Sequence, residues 1–197
     1  ETQDITRRFV VGTRSSDLAK TQTYEVIDMI VAKAQAQGIK ITKENFDIYE
    51  FHNSVGDVDV KKKLFEMGGQ GVFCKQLQQE LLDRKCDFAV HSMKDLPTTP
   101  YSEELIVAAI PDLKARDDVV IFKTTNKDVK TLEDLPKGAV IGTSSLRRIS
   151  TLGIKFPDLV VENIRGNLNT RLRKLEEEKY DAIILAKAGV CRLGWGG

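Results

Sequence analysis

Val140-Ile141-Gly142-Thr143-Ser144-Ser145-Leu146-Arg147-Arg148 runs from β-branched apolar residues through a small polar turn into helix formers. Such a passage is how a strand feeds a helix, with serine standing where a helix cap belongs. A shorter counterpart, Val10-Val11-Gly12-Thr13-Arg14-Ser15-Ser16, lies near the start of the sequence. Both segments close an apolar strand and open a helix, which suggests two lobes of related design. Outward from them, apolar runs predict strands at Phe9–Gly12, Ile48–Phe51, Phe88–His91, Ile106–Ile110, Val119–Phe122, Ala139–Gly142, Leu159–Glu162 and Ala182–Ala186. Apolar residues at helical spacing lie between several of these, with Ile27, Ile30 and Ala34 on one stripe. Phe73, Leu77 and Leu81 form a second stripe, and Leu146, Ile149 and Leu152 a third. The alternation predicts an α/β fold with mainly parallel sheets. The polar, proline-containing stretch 111–118 reads as a linker between a first lobe at 1–111 and a second at 117–197. Residues 53–71, with Gly56, Lys61-Lys62-Lys63 and Gly68-Gly69-Gln70-Gly71, read as a mobile functional loop.

With 197 residues and 41% hydrophobic content, the chain can bury a real core or two small ones. Thirty basic residues against 29 acidic leave a formal charge of +1, which argues against a broad nucleic-acid or membrane surface. Any anion site must come from local clustering. No apolar run reaches membrane-spanning length, and the polar opening does not read as a signal peptide. Cys74, Cys86 and Cys191 form no CxxC pair and read as reduced thiols, so a cytoplasmic or organelle-stroma location is expected. His52 and His91 are too far apart to suggest a metal site, and neither a Ser-His-Asp order nor a phosphate loop is present.

Ligands of parallel sheets sit beyond the carboxyl ends of the strands, so those ends are where function is read. Three strand-to-helix turns carry arginine there. Arg147 and Arg148 follow the Ser144/Ser145 cap, Arg165 and Arg171 bracket Gly166 and an asparagine cap, and Arg14 precedes the Ser15/Ser16 cap. The positive end of a helix dipole disfavours cations, so arginines there need an anionic partner. Each alone reads equally as a surface residue or a structural ion pair, but five together favour a receptor for a ligand with several carboxylates. Asp87–Pro97 is a strand ending in His91, Ser92, Lys94 and Asp95. Lys94 and Asp95 either point at the ligand, with Asp95 stabilising a cationic intermediate, or simply cap the turn before Pro97. His91 reads as a satisfied core histidine.

Five segments together resemble the porphobilinogen deaminase (hydroxymethylbilane synthase) family. They are Gly12–Ser16, His91–Pro97, Gly142–Arg148, Arg165-Gly166-Asn167 with Thr170-Arg171, and Tyr180–Ala186 followed by Ala188-Gly189 and Arg192-Leu193-Gly194. The resemblance implies a transferase of tetrapyrrole (haem) biosynthesis that joins four porphobilinogen units head to tail and releases ammonia. It implies growth on a dipyrromethane cofactor held by a thioether to cysteine, and a monomer with neither nucleic-acid nor membrane partners. The implied fold has two periplasmic-binding-protein-like lobes with a cleft between them, plus a third α/β domain. By motif match Asp95 is the catalytic carboxylate. Arg14, Ser16, Lys94, Arg147, Arg148, Arg165, Arg171 and Arg192 hold the carboxylates of cofactor and substrate. Ser144, Ser145 and Gly166 belong to the same turns. The sequence departs from the family pattern at Glu66 and Gln70, where lysines are common. Cys74, Cys86 and Cys191 match neither the motif nor the place of the cofactor cysteine. The third domain is thus expected to be missing, and this stretch alone is expected to be an incomplete, inactive form. A non-enzymatic two-lobe module for small carboxylates is the alternative; it accounts for the arginines but not for Lys94-Asp95.

Overall fold

In the computed structural model, residues 3–51, 72–99, 101–112 and 114–195 are described. The chain divides into two compact units, Glu1–Asp112 and Leu113–Gly197. In the first, β2 (Phe9–Arg14) lies between β4 (Phe46–Phe51) and β5 (Phe88–Ala89), all parallel. Helix α1 (Asp17–Ala36) follows β2, and α2 (Val72–Leu82) precedes β5. A separate parallel pair joins β1 (Gln3–Asp4) to β3 (Ile39–Lys40). In the second unit, β7 (Val140–Gly142) lies between β8 (Val160–Glu162) and β9 (Ala182–Ala186), again parallel, with β6 (Asp118–Phe122) antiparallel to β9. Helices α3 (Leu146–Lys155) and α4 (Leu168–Glu177) make the crossovers that parallel strands require, and α5 (Lys187–Arg192) follows β9. The sheets are mainly parallel, as the alternation of runs predicts.

The two units repeat one another beyond the Gly-Thr turn. Gly12 stands opposite Tyr49 and Ala89, and Gly142 opposite Glu162 and Ile183, so the flanking strands take corresponding registers. Each third strand is locked by an aspartate just ahead of it. Asp87 Oδ2 accepts from the Val10 amide at 2.7 Å while its own amide donates to the Val10 carbonyl at 2.8 Å. Asp181 does the same to Val140, at 2.8 Å and 2.9 Å. A shift of one residue would turn every side chain of the strand to the wrong face, so these paired bonds protect the register.

Burial follows the pleat. In β9, Ala182 and Ile184 join a core with Ile141 and Leu152 of α3, while Ile183 and Leu185 join another with Ile164, Leu175 of α4 and Val190 of α5. The apolar run is continuous because both faces are covered by helices. In the first unit Val11, Ile27, Ile41 and Phe46 form the core, with Ile30 and Ala34 of the α1 stripe packed against it. Gly12 and Gly142 are glycine because side chains rest on the strand itself. A Cβ on Gly12 would lie 2.9 Å from both Cys86 Sγ and Leu77 Cδ1; on Gly142 it would lie 2.9 Å from Ile183 Cγ2 and 3.0 Å from Tyr180 Cδ1.

Two expectations need correction. Ile106–Ile110 is not a strand: Ile106, Val107 and Ile110 are 84%, 58% and 68% exposed, and no described strand pairs with them. β-branched composition favours a strand only where a neighbour supplies the ladder. Leu146 is not on the buried stripe of α3 but 77% exposed, because it sits in the first turn, beyond the edge of the sheet. Ile149 is half-buried and Leu152 buried, as the spacing predicts. Strand ends differ from the predicted ones by one or two residues, the usual scale of fraying. The loop expected at 53–71 lies outside the described residues.

Gly142→Ala is expected to destabilise the chain by about 1–3 kcal/mol through overpacking against Ile183 and Tyr180. Gly153, in α3 with nothing within 4 Å of a Cβ, is the control. Gly153→Ala is expected to stabilise by about 0.5–1 kcal/mol. Urea unfolding of both variants measures the pair, and equal midpoints would contradict the packing account.

Candidate ligand-binding site at the strand ends

Parallel pairing brings the carboxyl ends of β2, β4 and β5 to one edge of the first unit, and those of β7, β8 and β9 to one edge of the second. The predicted site residues other than Arg192 can be located at or next to these two edges, each within its own unit.

In the first unit Arg14 ends β2, half-buried, and Ser16 caps α1 by accepting from the Ala19 amide at 3.4 Å. Beyond β5 the chain passes through His91 and Ser92 into a single turn of 3-10 helix, Met93–Asp95. Met93 and Lys94 are exposed, and Asp95 is half-buried. Two side chains from neighbouring helices hold the turn. Gln22 of α1 meets the Ser92 hydroxyl, with Nε2 at 3.0 Å and Oε1 at 3.2 Å. Cys74 of α2 donates its thiol proton to the Asp95 carbonyl at 3.1 Å.

That second bond decides the state of His91. The sulfur lies 3.6 Å from His91 Nδ1, and its only proton already goes to the carbonyl. Nδ1 therefore carries the hydrogen, and Nε2 is a buried acceptor without a partner among the described residues. His91 is thus a half-buried histidine rather than a ligand, with one ring nitrogen partnered among the described residues. Burial, aided by the nearby Arg14 charge and opposed by Asp95, lowers its pKa. Burial and then the Asp95 charge, opposed by Arg14, push the Cys74 thiol up to about 11. Both groups are neutral at pH 7, so this pair is no thiolate–imidazolium nucleophile. Among the described residues, the charges that act on both groups are those of Arg14 and Asp95.

In the second unit Ser144 Oγ donates to the Ile164 carbonyl at 2.8 Å, tying the end of β7 to that of β8. Ser145 holds the cap position of α3 but makes no side-chain cap bond, so it leaves the first-turn amides uncapped. Arg147 and Arg148 meet an anion within the protein. Asp118, the first residue of β6, accepts from Arg147 Nη2 at 2.6 Å and from Arg148 Nη2 at 2.7 Å. Burial pushes the Asp118 carboxyl up, but the bonds and charges of Arg148 and Arg147 outweigh that and hold it below the usual carboxylate range. Arg148 also donates to the Ile184 carbonyl at 2.9 Å, and its side chain is only 11% exposed against 67% for Arg147. Two guanidinium groups on one carboxylate still leave a positive excess, presented by Arg147.

Arg165, half-buried, follows the buried Ile164 at the end of β8. Gly166 takes φ +112°, and a Cβ there would lie 2.5 Å from Thr170 Cγ2, so only glycine fits. Asn167 caps α4 by accepting from the Thr170 amide at 2.9 Å, and Arg171 Nε folds back onto the Gly166 carbonyl at 2.9 Å. Arg192 is half-buried in the last turn of α5, at the helix end away from β9. An open hollow of about 500 Å³ in the first unit is lined by residues such as Lys40, Ile41 and Asn45, ahead of the amino end of β4, and is not part of this edge. Gln22, Cys74 and Asp118 are partners that the sequence does not announce, lying 70, 21 and 29 residues from the groups they hold.

The family model described as "Porphobilinogen deaminase, dipyromethane cofactor binding domain" matches residues 9–197. Relatives named porphobilinogen deaminase include one from Listeria innocua, 45% identical over 193 residues, covering 96% of this chain and 57% of its own length. One from Exiguobacterium is 45% identical over 189 residues, covering 96% and 58%. Another, from Staphylococcus aureus, is 44% identical over 189 residues, covering 96% and 57%. This chain therefore spans somewhat more than half the length of the curated relatives it matches. A family match running from Phe9 to Gly197, through both arginine-bearing edges and the Lys94-Asp95 turn, establishes that the chain belongs to the porphobilinogen deaminase family.

Proposed function

We propose that this chain supplies the carboxylate-binding and catalytic residues of a porphobilinogen deaminase (hydroxymethylbilane synthase). That transferase condenses four porphobilinogen units head to tail and releases ammonia at each addition, in tetrapyrrole biosynthesis. The observation that carries the reading is Asp95 on the turn beyond β5, next to Lys94 in sequence, its charge acting with that of Arg14 at the end of β2 on the same Cys74–His91 pair, in a chain whose other strand-to-helix turns carry Arg147 and Arg165. Porphobilinogen bears an acetate and a propionate, so a recognition surface for it needs several cations. Arginine forks and uncapped helix amides are suited to that. The two units are proposed to be periplasmic-binding-protein-like lobes with the ligand in a cleft between them. The protein is proposed to act as a monomer in the cytoplasm or an organelle stroma, on porphobilinogen and on no macromolecule.

Arg14, Ser16 and Lys94 bind substrate carboxylates from the first unit. Arg147, Arg165, Arg171 and Arg192, with Ser144, Ser145 and the open backbone at Gly166, bind carboxylates from the second. Arg148, on the sheet-facing side of α3, supports Arg147 through the Asp118 carboxylate they share. When the protonated aminomethyl group leaves as ammonia, positive charge spreads over the pyrrole ring, and the Asp95 carboxylate stabilises it. The same carboxylate accepts hydrogen bonds from pyrrole N–H.

The donor set fits the acetate and propionate arms of a dipyrromethane group, which when bound supplies the primer for chain growth. Its thioether does not fit Cys74 or Cys86, which are 1% and 6% exposed with thiol pKa values raised by burial. Cys191 is exposed but lies outside the family's attachment motif. The attachment is therefore proposed to use a cysteine other than these three.

In the full-length protein Asp95→Asn is expected to lower kcat by about 10²–10⁴ while leaving binding of porphobilinogen within about twofold. Steady-state turnover with calorimetric binding reads both, and retained activity would remove the catalytic assignment. Arg147→Gln is expected to weaken substrate binding roughly tenfold with little loss of stability, since its side chain is mostly exposed. Arg148→Gln is expected to cost about 1–3 kcal/mol of folding stability as well, because Asp118 and the Ile184 carbonyl lose a buried donor. Equal effects of the two changes on binding and unfolding would contradict this division.

A further inference from the structure

The turn carrying Lys94 and Asp95 does not hold itself. Ser92, at its cap position, makes no side-chain bond into the turn. Among the described residues, its internal bonds are the Asp95 amide to the Ser92 carbonyl at 2.9 Å and the Leu96 amide to the Met93 carbonyl at 3.2 Å. One hydrogen-bonded turn is a weak nucleus, so its orientation must be imposed from outside. Two contacts do this: the Cys74 thiol on the Asp95 carbonyl, and the Gln22 carboxamide on the Ser92 hydroxyl.

Gln22 is itself fixed. The next residue, Thr23, is fully buried on α1 and donates to Thr13 Oγ1 of β2 at 2.8 Å. Thr13 is also fully buried and directly precedes Arg14. A chain of contacts thus runs from the strand that ends in Arg14, across Thr13 and Thr23 to Gln22, and through Ser92 into the turn that bears Asp95. Both functional ends are referred to one strand.

We propose that Gln22 is a positioning residue for the reaction, acting through the Ser92 hydroxyl to set the orientation of the Asp95 carboxylate. This rests on the catalytic reading of Asp95 and deepens it. Gln22 does not bind substrate in this account, so its loss should lower kcat and spare KM. A purely structural glutamine would lower stability without that split, and a ligand contact would raise KM.

The test uses the full-length, cofactor-bearing protein as parent, Gln22→Met, Ser92→Ala and the double variant. Methionine keeps the length of glutamine and removes its hydrogen bonds. Each single change is expected to cut kcat about tenfold or more with KM within about twofold. The double variant should be no worse than either single, because both remove one bond. Amide hydrogen exchange at Asp95 and Leu96 should speed up in each variant while β2 stays protected. A kcat within twofold of the parent, a loss carried by KM, or losses that multiply in the double variant would each overturn the proposal. If the parent itself turns over no porphobilinogen, the proposed activity fails. Amide exchange then decides the positioning role alone, and unchanged protection at Asp95 and Leu96 sinks it. If Gln22→Met does not fold, Ser92→Ala breaks the same bond from the other side and carries the same measurements.

Discussion

Paired hydrogen bonds between an aspartate and a residue at the start of a central strand, Asp87 on Val10, the second residue of β2, and Asp181 on Val140, the first of β7, fix the frame on which the other features are placed. A parallel ladder has no hairpin to set its register, because its strands are joined by long crossovers. The aspartates supply what a turn would supply elsewhere. Because β5 is held against β2 in one register, the backbone leaves the sheet at the point where His91 and Ser92 reach α2 and α1. Because β9 is held against β7, Ile184 offers its carbonyl to Arg148. The same device in both units means that the repetition first visible at two Gly-Thr turns reaches to the opposite ends of the strands.

On this frame the electrostatics separate into neutral and charged parts. Cys74 and His91 are buried deeply enough that each keeps its uncharged form, and they serve by hydrogen bonding. Charge is left to groups on the turns. In the second unit Asp118 lies between two arginines, and its depressed pKa has a consequence for acid stability. The contribution of this cluster is complete above the ordinary aspartate value of 3.8 and is lost as pH falls through the lower folded-state value. The cluster therefore holds across the neutral range.

What could be read from the sequence is what depends on neighbours in the chain. A β-branched run, a glycine, a cap residue and an amphipathic stripe are local, so the strand ends of Arg14, Ser144, Ser145 and Arg165 were legible. So were the Ser16 and Asn167 caps, whose bonds span three residues. The anionic partner of Arg147 and Arg148 was not, because Asp118 lies in a stretch that reads as polar linker and becomes a partner only when β6 pairs with β9. Gln22 looks like any exposed-face helix residue until the fold brings Ser92 to it. Ile106–Ile110 failed in the opposite sense, having local strand character without a described strand to pair with. The division of labour between Arg147 and Arg148 also needed the fold, since adjacent identical residues differ only in which side of α3 faces the sheet.

The Asp118 clasp changes what binding at that edge means physically. Under the proposed function, a ligand carboxylate arriving at Arg147 would not fill an empty fork; it would displace, or share with, the Asp118 carboxylate already there. Such an encounter is an exchange of one anion for another, so the gain in free energy is the difference between two similar contacts. Exchange keeps the guanidinium ordered before the ligand comes, which limits the rotamer entropy lost on binding. A contact formed by exchange is also weaker than one formed on a bare guanidinium, and so is more easily released.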